Sequence, residues 1–148
     1  WIIGSARSRD IDNIIVYPRD NFSFRKIIKA LKSKAIFYYF GDEDLGKDNS
    51  VFSKFFDEKK STLISVSKIS ELSNCTVMPC INYYCPTSKK YTTYIGEPLE
   101  NFPSNDKQKD ANTINIALER IISHDLEQYM WSLRLFQTRP DGKSYPYQ

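Results

Sequence analysis

The stretch Ala35-Ile36-Phe37-Tyr38-Tyr39-Phe40-Gly41-Asp42-Glu43-Asp44-Leu45-Gly46 decides the reading of this chain. Six uninterrupted apolar residues run into a glycine and then into three consecutive carboxylates. The apolar run is far short of the ~20 residues that cross a bilayer. It has the length and composition of a strand buried on both faces. Residues 41–50, polar and rich in Asp and Gly, then form the loop at its C-terminal end, where α/β sheets bind ligands. Carboxylates at such a place can hold a hard cation, orient a base or meet a cationic group, or they can be a solvated turn. A calcium loop is excluded, because the glutamate it needs downstream is missing.

On the N-terminal side, Ile14-Ile15-Val16-Tyr17 is β-branched and closed by Pro18, which reads as a short strand. Asn21 or Ser23 can cap the helix that follows, whose apolar face is Phe24, Ile27, Ile28 and Leu31. On the C-terminal side, Leu63, Val66, Ile69 and Leu72 recur every three residues and predict a helix over roughly 61–73. Residues 76–84 and 91–95 read as strands joined by the turn Pro86-Thr87-Ser88-Lys89-Lys90. A helix is expected over 106–124, with Ala111, Ile114, Leu118, Ile121 and Ile122 as its buried stripe, and a second over about 125–136. The order strand, helix, strand, helix, strand, strand, helix is an α/β pattern, a mixed sheet flanked by helices.

The 148 residues suffice for one domain. Apolar residues make up 41% and charged residues 26%, with a mean hydropathy of −0.51, which excludes disordered, collagen-like and coiled-coil chains. The net charge of +3 is too small for a dedicated nucleic-acid binder, and no RNA-binding signature accompanies the lysines beside Tyr91 and Phe24. No nucleic-acid partner is expected. The three cysteines, Cys75, Cys80 and Cys85, are spaced C-x4-C-x4-C without a histidine among them. That is neither a disulfide framework nor a zinc pattern, so free thiols in a reducing compartment are expected, with no metal and no cofactor. The chain opens on Trp1 rather than Met, which leads us to expect a piece of a longer polypeptide.

His124 is the single histidine. It lies beside Asp125 and Glu127 at a polar helix junction with no nucleophile presented to it, so it reads as a surface residue rather than a general base. No glycine-rich phosphate loop, G-x-S-x-G elbow or H-E-x-x-H motif is present. The pairs Arg7/Arg9 and Arg134/Arg139, with Arg19 and Lys47, are either anion-binding forks or scattered surface cations. Phe52, Phe55 and Phe56, directly after the acidic loop, either fill core or line an apolar channel.

Four segments in this order resemble the C-terminal half of the late lipid A acyltransferases, the lauroyl/myristoyl transferase family of Gram-negative bacteria. Asp42-Glu43-Asp44-Leu45-Gly46 is similar to the family's Asp-x-Asp-x-Gly block. Ser50-Val51-Phe52-Ser53-Lys54-Phe55-Phe56 is similar to its Val-Phe-Val-Pro-Phe-Phe segment, and Val77-Met78-Pro79 to its Val-Val-Pro strand. Glu127-Gln128-Tyr129-Met130-Trp131, followed by Arg134, Phe136, Thr138-Arg139-Pro140 and Gly142, resembles the family's Glu-Gln-Tyr-x-Trp and Arg-Phe-Lys-Thr-Arg-Pro ending. Leu126, Leu133, Leu135 and Gln137 depart from that ending, where Pro, His, Arg and Lys are usual. Ser53 stands at a usual Pro, and Glu43 at a usual Gln or His.

The resemblance implies part of a glycerolphosphate-acyltransferase-like fold, with residues 1–148 as the C-terminal part of a single acyltransferase domain. It implies transfer of a fatty acyl chain from acyl carrier protein, or acyl-CoA, to a hydroxyacyl chain of a Kdo-bearing lipid A precursor, at the cytoplasmic face of the bacterial inner membrane. Family members take their base from a His-x4-Asp/Glu motif that this chain lacks, since the fifth residue after His124 is Tyr129. The motif and a hydrophobic anchor are expected upstream of Trp1, and the 148 residues alone are expected to be inactive. Carried over by position, Asp42, Asp44 and Arg7 or Arg9 support the active site. Phe52, Phe55, Phe56, Pro79, Arg134 and Arg139 approach substrate. The alternative is a truncated, non-catalytic remnant acting at most as a binding module.

Overall fold

A computed structural model describes residues 14, 24–140 and 143–147. The chain divides into two units, residues 1–37 and 38–148. In the first, α1 (Phe24–Lys32) forms where the apolar spacing places it and buries Ile27. Lys34, just past its end, takes a positive φ of 65°, the left-handed turn that commonly closes a helix. Residues 15–17, both candidate caps and Arg7, Arg9 and Arg19 lie outside the described residues.

The second unit contains β1 (Ser50–Phe55), β2 (Glu58–Leu63), α2 (Ser65–Ser73), β3 (Cys80–Cys85), β4 (Lys90–Ile95) and α3 (Lys107–Ile122). A single 3-10 turn at Leu126–Gln128 follows, and then a C-terminal strap without regular structure. The chain is α/β, but among the described residues there is no single mixed sheet. There are two antiparallel hairpins, β1 with β2 and β3 with β4.

Residues 35–40 do not form the expected buried strand. They form no ladder among the described residues, and Ile36 is 97% exposed. A buried parallel strand is fixed by strands beside it. The nearest candidates, residues 50–63, close on each other instead. The pairing runs from Ser50 opposite Leu63 to Phe55 opposite Glu58.

That hairpin is absent from the sequence reading for an identifiable reason. Its two-residue turn is Phe56-Asp57, with φ of 45° and 68°. Both values belong to the left-handed region, where Asn-Gly or Asp-Gly is the usual signal. Tertiary bonds hold Phe56 there: its amide donates to Glu119 Oε1 at 3.0 Å, and its ring meets Phe55 and Trp131 edge-on. The helix expected from residue 61 therefore begins only at Ser65. It ends at Asn74 in the left-handed conformation.

The second hairpin is closer to expectation. Its ladder begins at Cys80 rather than at 76, because Val77 and Pro79 contribute only carbonyls, to Leu99 and Gly96. Gly96 is required there, since a Cβ would stand 3.0 Å from Pro79 Cγ and 3.3 Å from Ile121 Cγ2. Helix α3 matches expectation, with Asp106 accepting from the amides of Gln108 and Lys109 as its N-cap. Its face reaches β1 through polar bonds. Ser53 and Asn112 share one at 2.6 Å, and Asn115 Nδ2 donates to the Lys54 carbonyl and Thr62 Oγ1.

The helix expected over 125–136 is not formed beyond the 3-10 turn. Tyr129, Leu135 and Phe136 are buried or half-buried, and Trp131, although partly exposed, lies against Phe56 and Tyr129; no single helical face could present that set. The core of this unit is Phe55, Ile122 and Leu135, with Phe56, Ile81, Leu118, Tyr129, Leu133 and Phe136 packed against it.

Candidate functional site

The acidic loop is pinned from below by β2 and from the side by the C-terminal strap. Ser61 Oγ donates to the Gly46 carbonyl at 2.6 Å, and Ser50 Oγ to the same carbonyl at 2.9 Å. Asp44 is buried. Its Oδ1 accepts from the Gly46 amide at 3.1 Å and its Oδ2 from the Thr138 amide at 2.7 Å. The Asp44 carbonyl takes a further bond from Gln137 Nε2 at 2.8 Å. Asp42 Oδ2 accepts the Tyr129 hydroxyl at 2.8 Å. Burial, and then the neighbouring carboxylate, push the Tyr129 phenol above its ordinary value, so it remains a donor.

The strap is therefore the clamp of the acidic loop through Tyr129, Gln137 and Thr138, while other residues of its signature fasten the strap itself to the rest of the unit. Gln128 closes the outer edge of β3, accepting from the Tyr84 amide at 2.7 Å and donating to its carbonyl at 3.0 Å. Trp131 donates to the Leu126 carbonyl and lies against Tyr129 and Phe56. Leu135, one of the departures from the family pattern, is core, and Gln137, another, is the donor to Asp44.

Arg139, of which only 12% of the side chain is exposed, binds Glu58 Oε2 at 2.9 Å, with Lys143 at 3.3 Å on the same oxygen. These two cations, Arg139 first, draw the Glu58 pKa below its ordinary 4.5. A lowered carboxylate stabilises the fold above its unfolded pKa and loses that contribution as pH falls through the folded one. Glu58→Gln is therefore expected to lower the melting temperature at pH 7 and to make no difference once pH is well below 4.5. Paired melting curves across that range check this, and a constant difference at every pH would refute it.

Of the other residues singled out from sequence, Arg134 is exposed and Pro79 half-buried against Gly96. Phe52 and Phe56 are half-buried, whereas Phe55 is fully sealed. His124 is exposed, its ring 5.0 Å from that of Tyr94, and the three cysteines are free thiols. Among the described residues no group of acids, histidines and cysteines is placed to hold a metal ion, and no helix is long and apolar enough to cross a membrane.

One residue of the site was not found from sequence. Lys60 has no exposed surface, its Nζ lies 5.7 Å from the Phe55 ring centroid, and Nζ has no hydrogen-bond partner. Burial pushes its pKa down to about 8, against the opposing pull of Asp42 and Asp44. In sequence it is one of two lysines in a polar run, and only the hairpin pairing, Lys60 opposite Ser53, turns it inward.

Comparison with known proteins agrees with the resemblance carried by these segments. Residues 1–138 match the model of the family described as bacterial lipid A biosynthesis acyltransferase. The chain is 38% identical over 128 residues to a lipid A biosynthesis acyltransferase of Haemophilus influenzae, covering 86% of this chain and 39% of that protein. It is 32% identical over 124 residues to the lipid A biosynthesis lauroyltransferase of Escherichia coli K12, covering 83% and 40%. It is 30% identical over 148 residues to the lipid A biosynthesis palmitoleoyltransferase of the same organism, covering 99% and 47%. The chain thus spans less than half the length of these relatives. By these matches, which take in its acidic loop, its Phe56-Asp57 turn and most of its C-terminal clamp, the chain belongs to the bacterial lipid A biosynthesis acyltransferase family.

Proposed function

We propose that this chain supplies the acidic-loop half of an enzyme that moves a fatty acyl chain from acyl carrier protein to a hydroxyacyl chain of a Kdo-bearing lipid A precursor, at the cytoplasmic face of the inner membrane. The observation that carries the reading is the clamp on Asp42 and Asp44 by Tyr129, Gln137 and Thr138. It joins, in one place, the two segments that most resemble the family. A fixed pair of carboxylates suits orienting a group that becomes positive as the reaction proceeds, such as the base that takes up the hydroxyl proton, because pre-oriented charges need no reorganisation. The fold we assign to the whole enzyme is of the glycerolphosphate-acyltransferase type.

In the reaction, a base takes the proton of the lipid hydroxyl, whose oxygen attacks the thioester carbonyl. A C–O ester bond forms, the C–S bond breaks, and the proton leaves on the carrier's thiol. His124 is exposed and has Tyr129 rather than an acid at the family spacing, so in this reading the base comes from outside these 148 residues. The 148 residues alone are expected to transfer nothing.

The test uses the native full-length protein, as made in its source cell. Mixed with acylated carrier protein and the lipid precursor, it is expected to give a precursor heavier by one acyl group, read by mass spectrometry. No product from carrier protein, with product from acyl-CoA, corrects the donor. No product from either, while the precursor still binds, refutes the enzymatic reading and favours the non-catalytic remnant.

A further inference from the structure

We infer that the basic face of α1, formed by Arg25, Lys26, Lys29 and Lys32 and continued by Lys34, is a docking surface for the anionic phospholipid headgroups of the membrane. The inference deepens the acyltransferase reading above and rests on it for the membrane itself.

The geometry is that of a two-faced helix. At 3.6 residues per turn, Arg25, Lys26, Lys29 and Lys32 fall within about 120° of the helix circumference. Phe24, Ile27, Ile28 and Leu31 occupy the opposite side, where Ile27 is 1% exposed and the other three are half-buried. All four cations and Lys34 are exposed. No Asp or Glu occurs between Asp20 and Asp42 in the sequence, and among the described residues no carboxylate forms an ion pair with any of the five. Arg25 and Lys26 stand in the first turn, where the positive end of the helix dipole repels them and no acid relieves it. Arg25 and Lys26 are also spaced four and three residues from Lys29, and Lys29 three from Lys32, so each meets a like charge along the helix. The row works against the helix that carries it until counter-charges arrive from elsewhere.

The composition of the row favours lipid over an acidic protein. Four of the five cations are lysines. A lysine ammonium is a mobile, hydrated point charge and suits phosphates that diffuse in a bilayer plane, whereas the fork that grips a fixed carboxylate is arginine's. Clusters of roughly four to eight lysines and arginines on an amphipathic helix are typical of contact with anionic lipid. With Ile27 sealed, the apolar face is turned inward, so α1 meets headgroups and does not sink into the acyl region. Ile36, 97% exposed two residues past Lys34 in the same unit, is an apolar side chain that the boundary beneath the headgroups can take up and a row of carboxylates cannot.

The test measures, lysine by lysine, how fast a water-soluble amine-acylating reagent modifies the native full-length protein in lipid discs, read by mass spectrometry of its peptides. Discs of phosphatidylglycerol are compared with discs of phosphatidylcholine. Lys26, Lys29 and Lys32 are expected to react about fivefold more slowly in the anionic discs at roughly 0.1 M salt, the factor one lysine gains beside an anionic surface. The difference is expected to vanish at roughly 1 M salt, where screening confines charges to about 3 Å. In the variant Lys26→Gln/Lys29→Gln/Lys32→Gln the slowing of Lys34 is expected to be lost, while the melting temperature stays at or above that of the wild type because like charges have been removed. Equal rates in the two discs, slowing that persists at high salt, or slowing of Lys34 that survives in the variant each overturns the inference. If the variant does not fold, the wild-type rates decide. Slowing by acylated carrier protein in neutral discs, with none from phosphatidylglycerol, also overturns it and gives the face to an acidic protein. Labelling needs no turnover, so the inference can fail while the acyltransferase reading stands, and that reading falls only on the product assay.

Discussion

Replacing Asp44 by alanine is expected to remove detectable turnover from the native full-length protein and to destabilise it by about 2–6 kcal/mol, the cost of stranding two buried donors. The size follows from what the side chain holds. Two backbone amides, those of Gly46 and Thr138, donate to its two oxygens. Both would be stranded, and each buried donor left without an acceptor costs about 1–3 kcal/mol. Thr138 is also the point where the strap joins the loop, so the damage spreads to Gln137 and the Arg139–Glu58 bridge. Asp44→Asn is nearly as severe, because the amide turns a donor toward one of the two N–H groups. Asp42→Ala is milder for stability. Asp42 accepts the Tyr129 hydroxyl, a bond worth about 1.5–3 kcal/mol for a charged acceptor, while its effect on turnover remains large. Denaturant midpoints and turnover measured on the same preparations decide the matter. An Asp44→Ala protein with wild-type stability and wild-type turnover would remove both the structural and the functional reading of the loop.

How much of this was readable in the sequence depended on whether a residue's role is local. Helix α3 announces itself, since Asp106 caps it and its apolar stripe repeats every three to four residues. Helix α1 and the β3–β4 hairpin are legible for the same reason. The acidic loop stands out because three carboxylates follow an apolar run. The β1–β2 hairpin is not legible, because its turn uses Phe56 and Asp57 at positive φ, where propensity argues against both. The cause is a bond to Glu119, sixty-three residues away. Lys60 was missed as a consequence, since nothing marks it as inward without the hairpin register. The strap fails as a helix because its residues are spaced to reach four separate partners. Those partners are Asp42, Phe56, Asp44 and Glu58, and only the folded chain brings them together.

The three phenylalanines after the loop separate in the same way, and the separation makes the second strong prediction. From sequence, Phe52, Phe55 and Phe56 were equally core or channel. In the structure Phe55 has no exposed surface and sits among Ile122, Leu135 and Phe136, with Lys60 Nζ over its ring. Phe55→Ala is expected to destabilise the protein by about 3–5 kcal/mol, the cost of an aromatic-sized cavity in a close-packed core. The acyl-chain length preference of whatever folded enzyme remains should not change, because a sealed side chain meets no substrate. Phe52, inside β1, and Phe56, in the turn after it, are half-buried and so keep surface that a substrate could meet. Phe56→Ala also loses the ring contacts to Phe55 and Trp131 that hold the turn, so it lowers stability less than Phe55→Ala does but shifts chain-length preference more. Melting curves and competition between acyl donors of different length distinguish the two. A Phe55→Ala enzyme of normal stability that accepts a longer acyl chain would place Phe55 on the channel wall and take it out of the core.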